Sequence, residues 1–124
     1  MKLAEAWSPI QVGDERDIGI DFAPDAGGAY ILDVLWTCRL TRFSEGFDPD
    51  PQSRVLSMSA QMSTFVRRQD GSVVPEFGVF AVARVGGMPA SAAGATYIFD
   101  AKVYLSDGQQ ISHNSTMQCV LSGQ

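Results

Sequence analysis

Few side chains in this sequence have a type and a spacing that could support chemistry. His113 is the only histidine, so the chain cannot build a multi-histidine metal site or a histidine-based triad with a histidine to spare. His113 falls on the face of a predicted strand that also carries Ile111 and Met117. A packing histidine explains this position more simply than a catalytic one, and we interpret the chain as non-enzymatic, with no catalytic residues.

Two groups of acidic residues could supply oxygen ligands to calcium. Asp48 and Asp50 follow closely after Glu45, and Asp21 lies near Asp25. Neither group has the number of ligands or the glycine spacing of a known calcium-binding loop. Solvated loop acids are the simpler interpretation, and we expect neither a metal nor another cofactor.

The two cysteines, Cys38 and Cys119, form neither a disulfide framework nor a metal motif. Both fall on the apolar face of predicted strands, where a free cysteine packs as a small hydrophobe. The fold could bring them close enough to form a bridge between sheets, whereas a reducing compartment would keep them as thiols.

Length and composition favour one folded domain without a nucleic-acid or membrane partner. The chain has 124 residues, of which 45% are hydrophobic and 19% are charged, and its net charge is −5. Residues 1–50 hold ten acids and four bases, whereas binding to a phosphate backbone needs a basic footprint. No run approaches the apolar length of a membrane span, and the first residues lack the apolar region of a signal peptide. We expect a chain made and kept in a cytoplasm, or a mature fragment whose leader is missing.

Strands are the elements that would position these side chains, and the clearest prediction is a hairpin over residues 94–121. Apolar residues recur there at every second position, which is the period of a strand with one buried face. Asp107 and Gly108 supply the tight turn. The residues predicted to face inward are Tyr97, Phe99, Ala101, Val103 and Leu105 in the first arm, and Ile111, Met117, Cys119 and Leu121 in the second.

The start of this hairpin carries a Gly-x-x-Tyr pattern formed by Gly94 and Tyr97. The pattern is typical of a tyrosine corner, in which the hydroxyl bonds to upstream backbone. A tyrosine packed as an ordinary core aromatic is the alternative.

Further alternating segments precede the hairpin. We interpret as strands residues 17–22, 30–41, 54–65 and 79–83. Pro75 makes residues 72–76 either an edge strand or an irregular segment, and Trp36 is expected at the centre of the core. The inward residues predicted here include Tyr30, Leu32, Val34, Trp36, Cys38 and Leu40, and then Leu56, Met58, Ala60 and Met62. We therefore predict an all-β fold: an antiparallel immunoglobulin-like Greek-key β-sandwich of six to seven strands, with a small barrel as the alternative. Residues 1–16 would form an N-terminal arm and residues 17–124 the single domain.

Several of these marks occur in the order found in one family. The series runs from Asp17-Ile18-Gly19-Ile20-Asp21-Phe22 through Trp36, Asp48-Pro49-Asp50-Pro51, Gly86-Gly87 and Gly94-x-x-Tyr97 to Ser106-Asp107-Gly108. It resembles the small tail-adaptor proteins of tailed bacteriophages, often called fiber-tail adaptor proteins, which have immunoglobulin-like sandwiches. The resemblance implies a structural protein of the virion tail or neck, made in the bacterial cytoplasm. It also implies other tail or neck proteins as partners and a ring of copies of the chain.

Aromatic and apolar side chains in polar segments are candidate anchors for such partners. We expect partner contacts from Trp7 and Ile10 in the arm and from Phe47 in the loop of residues 43–51, although Phe47 could instead cap the end of its own core. Structural roles are expected for Trp36, Tyr97, Gly94, Asp107 and Gly108. The alternative function is a small β-sandwich binding module for carbohydrate or protein, with Trp7, Phe47 or Tyr104 as an exposed platform.

Overall fold

A computed structural model describes residues 6–42, 44–59, 63–67, 69–77 and 80–121 of the chain. Strands dominate these residues. The only α-helix among them is one turn long and the other helical segments are two short 3₁₀ turns, so no described helix has the length or apolarity needed to cross a membrane. The elements in chain order are β1 (Ile10–Gln11), β2 (Glu15–Asp21), α1 (Ala23–Ala26), β3 (Ile31–Leu40), a 3₁₀ turn (Pro51–Arg54), β4 (Val55–Ser59), β5 (Ser63–Arg67), β6 (Val73–Phe77), β7 (Phe80–Gly86), a second 3₁₀ turn (Ala90–Ala92), β8 (Thr96–Leu105) and β9 (Gln110–Val120).

The strands form a four-stranded sheet in the order β1-β9-β8-β3 and a three-stranded sheet in the order β2-β7-β4. Strands β5 and β6 pair with each other. The predicted all-β class is confirmed. The described residues hold nine strands because the segment read as one strand over residues 54–65 contains β4 and the start of β5, and because β1 was not predicted.

One hydrophobic core lies between the two larger sheets, and its members come from both. Trp36 of β3 is fully buried in it. From the three-stranded sheet, Ile18 and Ile20 turn inward with Phe22 just after them, as the alternation of residues 17–22 predicts. Strand β7 is the central strand of its sheet, and it buries Ala81, Ala83 and Val85 while Arg84 on its other face is exposed to solvent.

The hairpin over β8 and β9 follows the sequence closely. The inward residues of β8, from Tyr97 to Leu105, are at most 1% exposed. Gly108 has a φ of +92°, the left-handed conformation that a side chain would strain. Asp107 Oδ1 accepts the Gln109 N–H at 3.0 Å. One detail differs, since β9 ends at Val120 and Leu121, predicted to face inward, is 50% exposed.

A bulge in β3 changes which side chains face the core. The pairing of β3 with β8 shifts between Ile31 and Asp33, so one extra residue interrupts the alternation. Ile31 is buried, whereas Tyr30 and Leu32 are 38% and 55% exposed. The prediction that Tyr30 and Leu32 share the inner face with Trp36 is therefore wrong.

Strand β4 shows the same effect. Its pairing with β7 shifts between Val55 and Ser57, and Leu56, predicted to face inward, is 44% exposed. Val55 packs against the core instead. The predicted inward positions Ala60 and Met62 lie outside the described residues.

The segment predicted as an N-terminal arm contributes to both of the larger sheets, since β1 lies in the four-stranded sheet and Glu15 and Arg16 begin β2 of the three-stranded sheet. Ile10 and Gln11 pair in parallel with Cys119 and Val120. The Trp7 N–H donates to the Thr116 carbonyl at 3.0 Å. The proposed boundary after residue 16 therefore falls inside β2, which pairs with β7, and Ile10 before it is already part of the core.

Candidate functional site

The connection between β3 and β4 holds a network of backbone and side-chain contacts, and we call residues 44–54 the 44–54 loop. Its residues alternate between the protein and the solvent: Gly46 and Asp48 turn inward, while Glu45, Phe47 and Pro49 are exposed. A Cβ on Gly46 would lie 2.6 Å from three backbone atoms of residues 92–95, so only glycine allows this close approach. The Phe47 N–H then donates to the Ser91 carbonyl at 2.9 Å.

The buried carboxylate of Asp48 holds the 44–54 loop against the rest of the protein. Its Oδ2 accepts the hydroxyl of Tyr97 at 2.7 Å. The same oxygen lies 3.1 Å from Nε of Arg54, whose Nη1 also donates to the Gly87 carbonyl. The other oxygen, Oδ1, accepts the Asp50 N–H at 2.9 Å. A buried carboxylate without such partners would be costly, so these contacts hold the loop in one position.

These contacts overturn two expectations. Asp48 is not a solvated loop acid, because it is 3% exposed and paired with Arg54. Tyr97 does not form a tyrosine corner, because its hydroxyl donates to a side chain 49 residues upstream and not to nearby backbone. Gly94 at the start of that pattern donates its N–H to the Cys119 carbonyl at 2.9 Å.

The low polarity under the loop changes the ionisation of its neighbours. Burial raises the pKa of the Tyr97 hydroxyl, and the hydrogen bond to Asp48 raises it further. Burial also raises the pKa of the Cys38 thiol to about 12, with the Asp48 carboxylate adding to the effect. The pKa of Cys119 is raised by burial and by Asp48. Both cysteines are free and buried, and they remain protonated and weakly nucleophilic at neutral pH.

Phe47 is the most exposed large hydrophobic side chain of the described residues, with 64% of its surface open to solvent. It stands between two inward-facing residues, Gly46 and Asp48, whose contacts fix the backbone on either side of it. The alternative in which Phe47 caps its own core does not fit this exposure.

A shallow depression lies beside the loop. It has a volume of about 290 Å³ and is lined by Ala93, Gly94 and the end of β9 from Gln118 to Leu121. Gly94 adjoins the 44–54 loop, since a Cβ built on it would lie 3.5 Å from Cβ of Glu45. The exposed Phe47 and this mostly apolar depression therefore occur at the same end of the molecule.

The other two predicted contact residues lie elsewhere. Ile10 is 1% exposed and belongs to the core, so it offers no surface to a partner. Trp7 is partly buried, with its ring centroid 6.4 Å from that of Trp36 and 6.1 Å from that of Phe99. Tyr104, considered as part of a carbohydrate platform, is partly buried on β8 with Lys102 Nζ 5.7 Å from its ring centroid. Of the three candidate platform aromatics, Phe47 is the one whose side chain is mostly open to solvent.

His113 has a partner that the sequence did not indicate. It is 7% exposed, and its Nε2 lies 2.7 Å from Oδ2 of Asp25 in α1. Its ring meets that of Phe22 edge-on at 4.9 Å between centroids. Asp25 is thus engaged with a histidine. No group of three or more potential metal-ligating side chains occurs in the part of the chain that the structure describes.

Sequence reasoning missed Asp48 as the centre of this site. One signal was present, because an Asp followed by Pro and Asp favours a turn in which the first side chain accepts a backbone N–H two residues on. No pattern in the neighbouring sequence indicated that Tyr97 and Arg54 would contact the Asp48 carboxylate.

Comparison with protein-family models finds no match for this chain, and neither the curated proteins nor the solved structures contain a match.

Proposed function

We propose that this chain is a non-enzymatic structural protein that assembles with other proteins through the 44–54 loop, as a tail or neck component of a tailed phage or phage-like particle. The observation that carries the proposal is Phe47, which is 64% exposed on a backbone fixed by buried neighbours. Exposed aromatic side chains are favoured anchors of protein interfaces.

The rigidity of the loop favours binding. A loop that is ordered before binding loses less conformational entropy when a partner docks. Gly46 fits against residues 92–95, and Asp48 is held by Tyr97 and Arg54. The geometry thus presents Phe47 in one orientation, which suits an assembly role.

The contacts of the ionisable side chains also favour a role in assembly over one in catalysis. Asp48 and Arg54 stabilise the loop, and His113 is paired with Asp25. The thiols of Cys38 and Cys119 are buried. These groups act in internal contacts, so their positions are explained by the fold.

The proposed location in a phage particle and the proposed ring of copies both rest on the family resemblance of the sequence. The immunoglobulin-like Greek-key arrangement belongs to the same proposal, and the single core between two sheets is compatible with it. Other tail or neck proteins of the virion would be the partners. In a closed ring each copy uses two different surfaces, and the 44–54 loop would supply one of them.

The test compares the native mass of the wild-type chain with that of Phe47→Ala by light scattering over a range of concentrations. We expect a discrete ring-sized oligomer for the wild type and a shift to monomer for the variant, because truncating an anchor weakens binding by at least about 2 kcal/mol. Leu56→Ala is the matched control, since Leu56 is 44% exposed on β4, outside the loop.

Equal thermal stability of the three proteins, measured at a concentration at which each is monomeric, would show that the loss concerns binding and not folding. An assembled wild type whose mass is unchanged by Phe47→Ala would contradict the role of the loop. A wild type that stays monomeric at every concentration would favour the binding-module alternative and call for a glycan and partner screen.

A further inference from the structure

The depression at the end of β9 is bordered by acidic side chains. Glu45 stands beside Gly94 on one side of it, since Oε2 of Glu45 would lie 3.9 Å from a Cβ built on Gly94. On β9, the Val120 carbonyl accepts the Val12 N–H at 2.9 Å, and this contact brings the turn that carries Asp14 to the same end of the strand. Glu45 and Asp14 are both exposed. The depression thus combines a mostly apolar floor with a negatively charged border.

The bases in the 44–54 loop and just before it do not cancel these charges. Arg54 pairs with the buried carboxylate of Asp48, and only 18% of its side chain is exposed. Its positive charge is therefore matched inside the protein. Arg42, two positions before the loop, is exposed, but the exposed acids of the loop and of the Asp14 turn outnumber it. The charge that this end of the molecule presents to solvent is therefore mainly negative.

The same charges decide between two kinds of occupant for the depression. Phe47 of a second copy is one apolar group that could enter it. Glu45 and Asp50 flank Phe47 and are exposed, so that contact would bring them against Glu45 and Asp14 of the first copy. Like charges that meet across an interface oppose association, whereas opposite charges favour it. A different protein with basic side chains is therefore the better match.

We propose that this depression is a docking site for a basic segment of a different protein. An apolar side chain of that segment lies on the floor beside Leu121, and a neighbouring lysine or arginine reaches Glu45 or Asp14. Leu121 is 50% exposed, so its side chain is open to such a contact. The site does not use Phe47, and the inference does not depend on the proposed particle.

The test selects binders from a display library of random peptides, with Phe47→Ala as the target so that assembly through the loop is removed. We expect the selected peptides to combine lysine or arginine with a large apolar residue. Fluorescence anisotropy of a selected peptide should show at least about tenfold weaker binding to Phe47→Ala/Glu45→Lys. The control, Phe47→Ala/Asp21→Lys, makes the same change of charge at an exposed acid of the other sheet, and it should weaken binding by less than about threefold.

A second pair of variants tests the apolar floor. Phe47→Ala/Leu121→Ser should bind the peptide at least about fivefold more weakly, because it removes apolar surface from the contact. Leu56→Ser in the same background is the matched control, since Leu56 is 44% exposed on β4, and it should leave binding unchanged. Circular dichroism checks that each variant folds, and Glu45→Gln replaces Glu45→Lys if the latter does not.

The inference is overturned if no peptide is selected, if the selected peptides carry no excess of basic residues, or if the Glu45 and Leu121 variants bind them as tightly as Phe47→Ala does. Tighter binding to a chain that ends at Leu121 would make residues 122–124, which lie outside the described residues, the occupant. Loss of wild-type assembly on Leu121→Ser would make it a second copy, and either result also overturns the proposal. A failed proposal for Phe47 has a different signature, because it concerns the native mass of the wild type and of Phe47→Ala.

Discussion

Two acids from inter-strand connections reach the same hairpin, but they do so in different surroundings. Asp48, between β3 and β4, is buried with Tyr97 of β8 and Arg54. Asp25, between β2 and β3, meets His113 of β9 while 32% of its side chain remains exposed. Charge pairing costs more to disrupt where water cannot replace the lost partner. The same kind of contact should therefore contribute very differently to stability at the two places.

The largest effect is expected for Asp48→Ala. Removing this carboxylate leaves the Tyr97 hydroxyl and Arg54 without their shared partner in a buried site, and the free energy of unfolding should fall by about 3–5 kcal/mol. Urea unfolding followed by tryptophan fluorescence measures this change. Glu45→Ala, at an exposed acid of the same loop, is the control and should change stability by less than about 0.5 kcal/mol. Equal losses for the two variants would refute the central role of Asp48.

Tyr97→Phe isolates one of the contacts of Asp48, the hydrogen bond from the Tyr97 hydroxyl. The ring stays and only the hydroxyl is lost, so Asp48 keeps Arg54 and the Asp50 N–H as partners. We expect a loss of about 1–3 kcal/mol in the same unfolding experiment. A loss as large as that of Asp48→Ala would mean that Arg54 contributes nothing.

A smaller effect is expected at the other acid. Asp25→Asn should lower the free energy of unfolding by about 0.5–1.5 kcal/mol, because water can solvate the partly exposed side chain and the amide can still bond to His113. Measurement by urea unfolding beside Asp48→Ala gives the ranking directly. A cost at Asp25 that equals or exceeds the cost at Asp48 would reverse the comparison.

Alkaline pH should destabilise the region around Asp48, because ionisable groups there have raised pKa values. The folded-state pKa of Tyr97 is raised, and that of Cys38 is raised from 9.0 to about 12. The unfolded chain therefore loses these protons first, and the stability that both groups contribute is complete below pH 9 and declines as the pH rises toward 12. Unfolding curves between pH 8 and pH 11 should show this decline, with a shallower slope for Cys38→Ala. An identical slope in that variant would exclude Cys38 as a cause.

Local patterns predicted the parts of the fold that depend on neighbours in sequence. The alternation in β8 and the turn at Asp107 and Gly108 define the hairpin, and both are present. The inner face of β3 was assigned correctly from Val34 to Cys38 and incorrectly at Tyr30 and Leu32. A bulge adds one residue without a distinctive sequence, so the period of two could not indicate it.

The candidate site depended on contacts between distant residues, and there the sequence was less informative. Asp48 and Tyr97 are 49 positions apart, and Asp25 and His113 are 88 apart. A loop rich in aspartate and proline has the composition of a solvated turn. That composition is the same whether or not the fold places a partner beside the aspartate. Phe47 was identified because a large aromatic residue in a polar loop is unusual in itself, whereas its rigid support became visible only with Gly46 and Asp48 in place.

The parallel pairing of β1 with β9 also determines when, during synthesis, this sheet can be completed. Among the described strands, β1 leaves the ribosome first and its partner last. At typical rates of translation the interval between Ile10 and Cys119 is on the order of ten seconds. During that interval Ile10 and Trp7 lack the strand that buries them, and a nascent chain that stalls before β9 would expose both to chaperones and proteases. The four-stranded sheet can therefore be completed only after translation has passed residue 120.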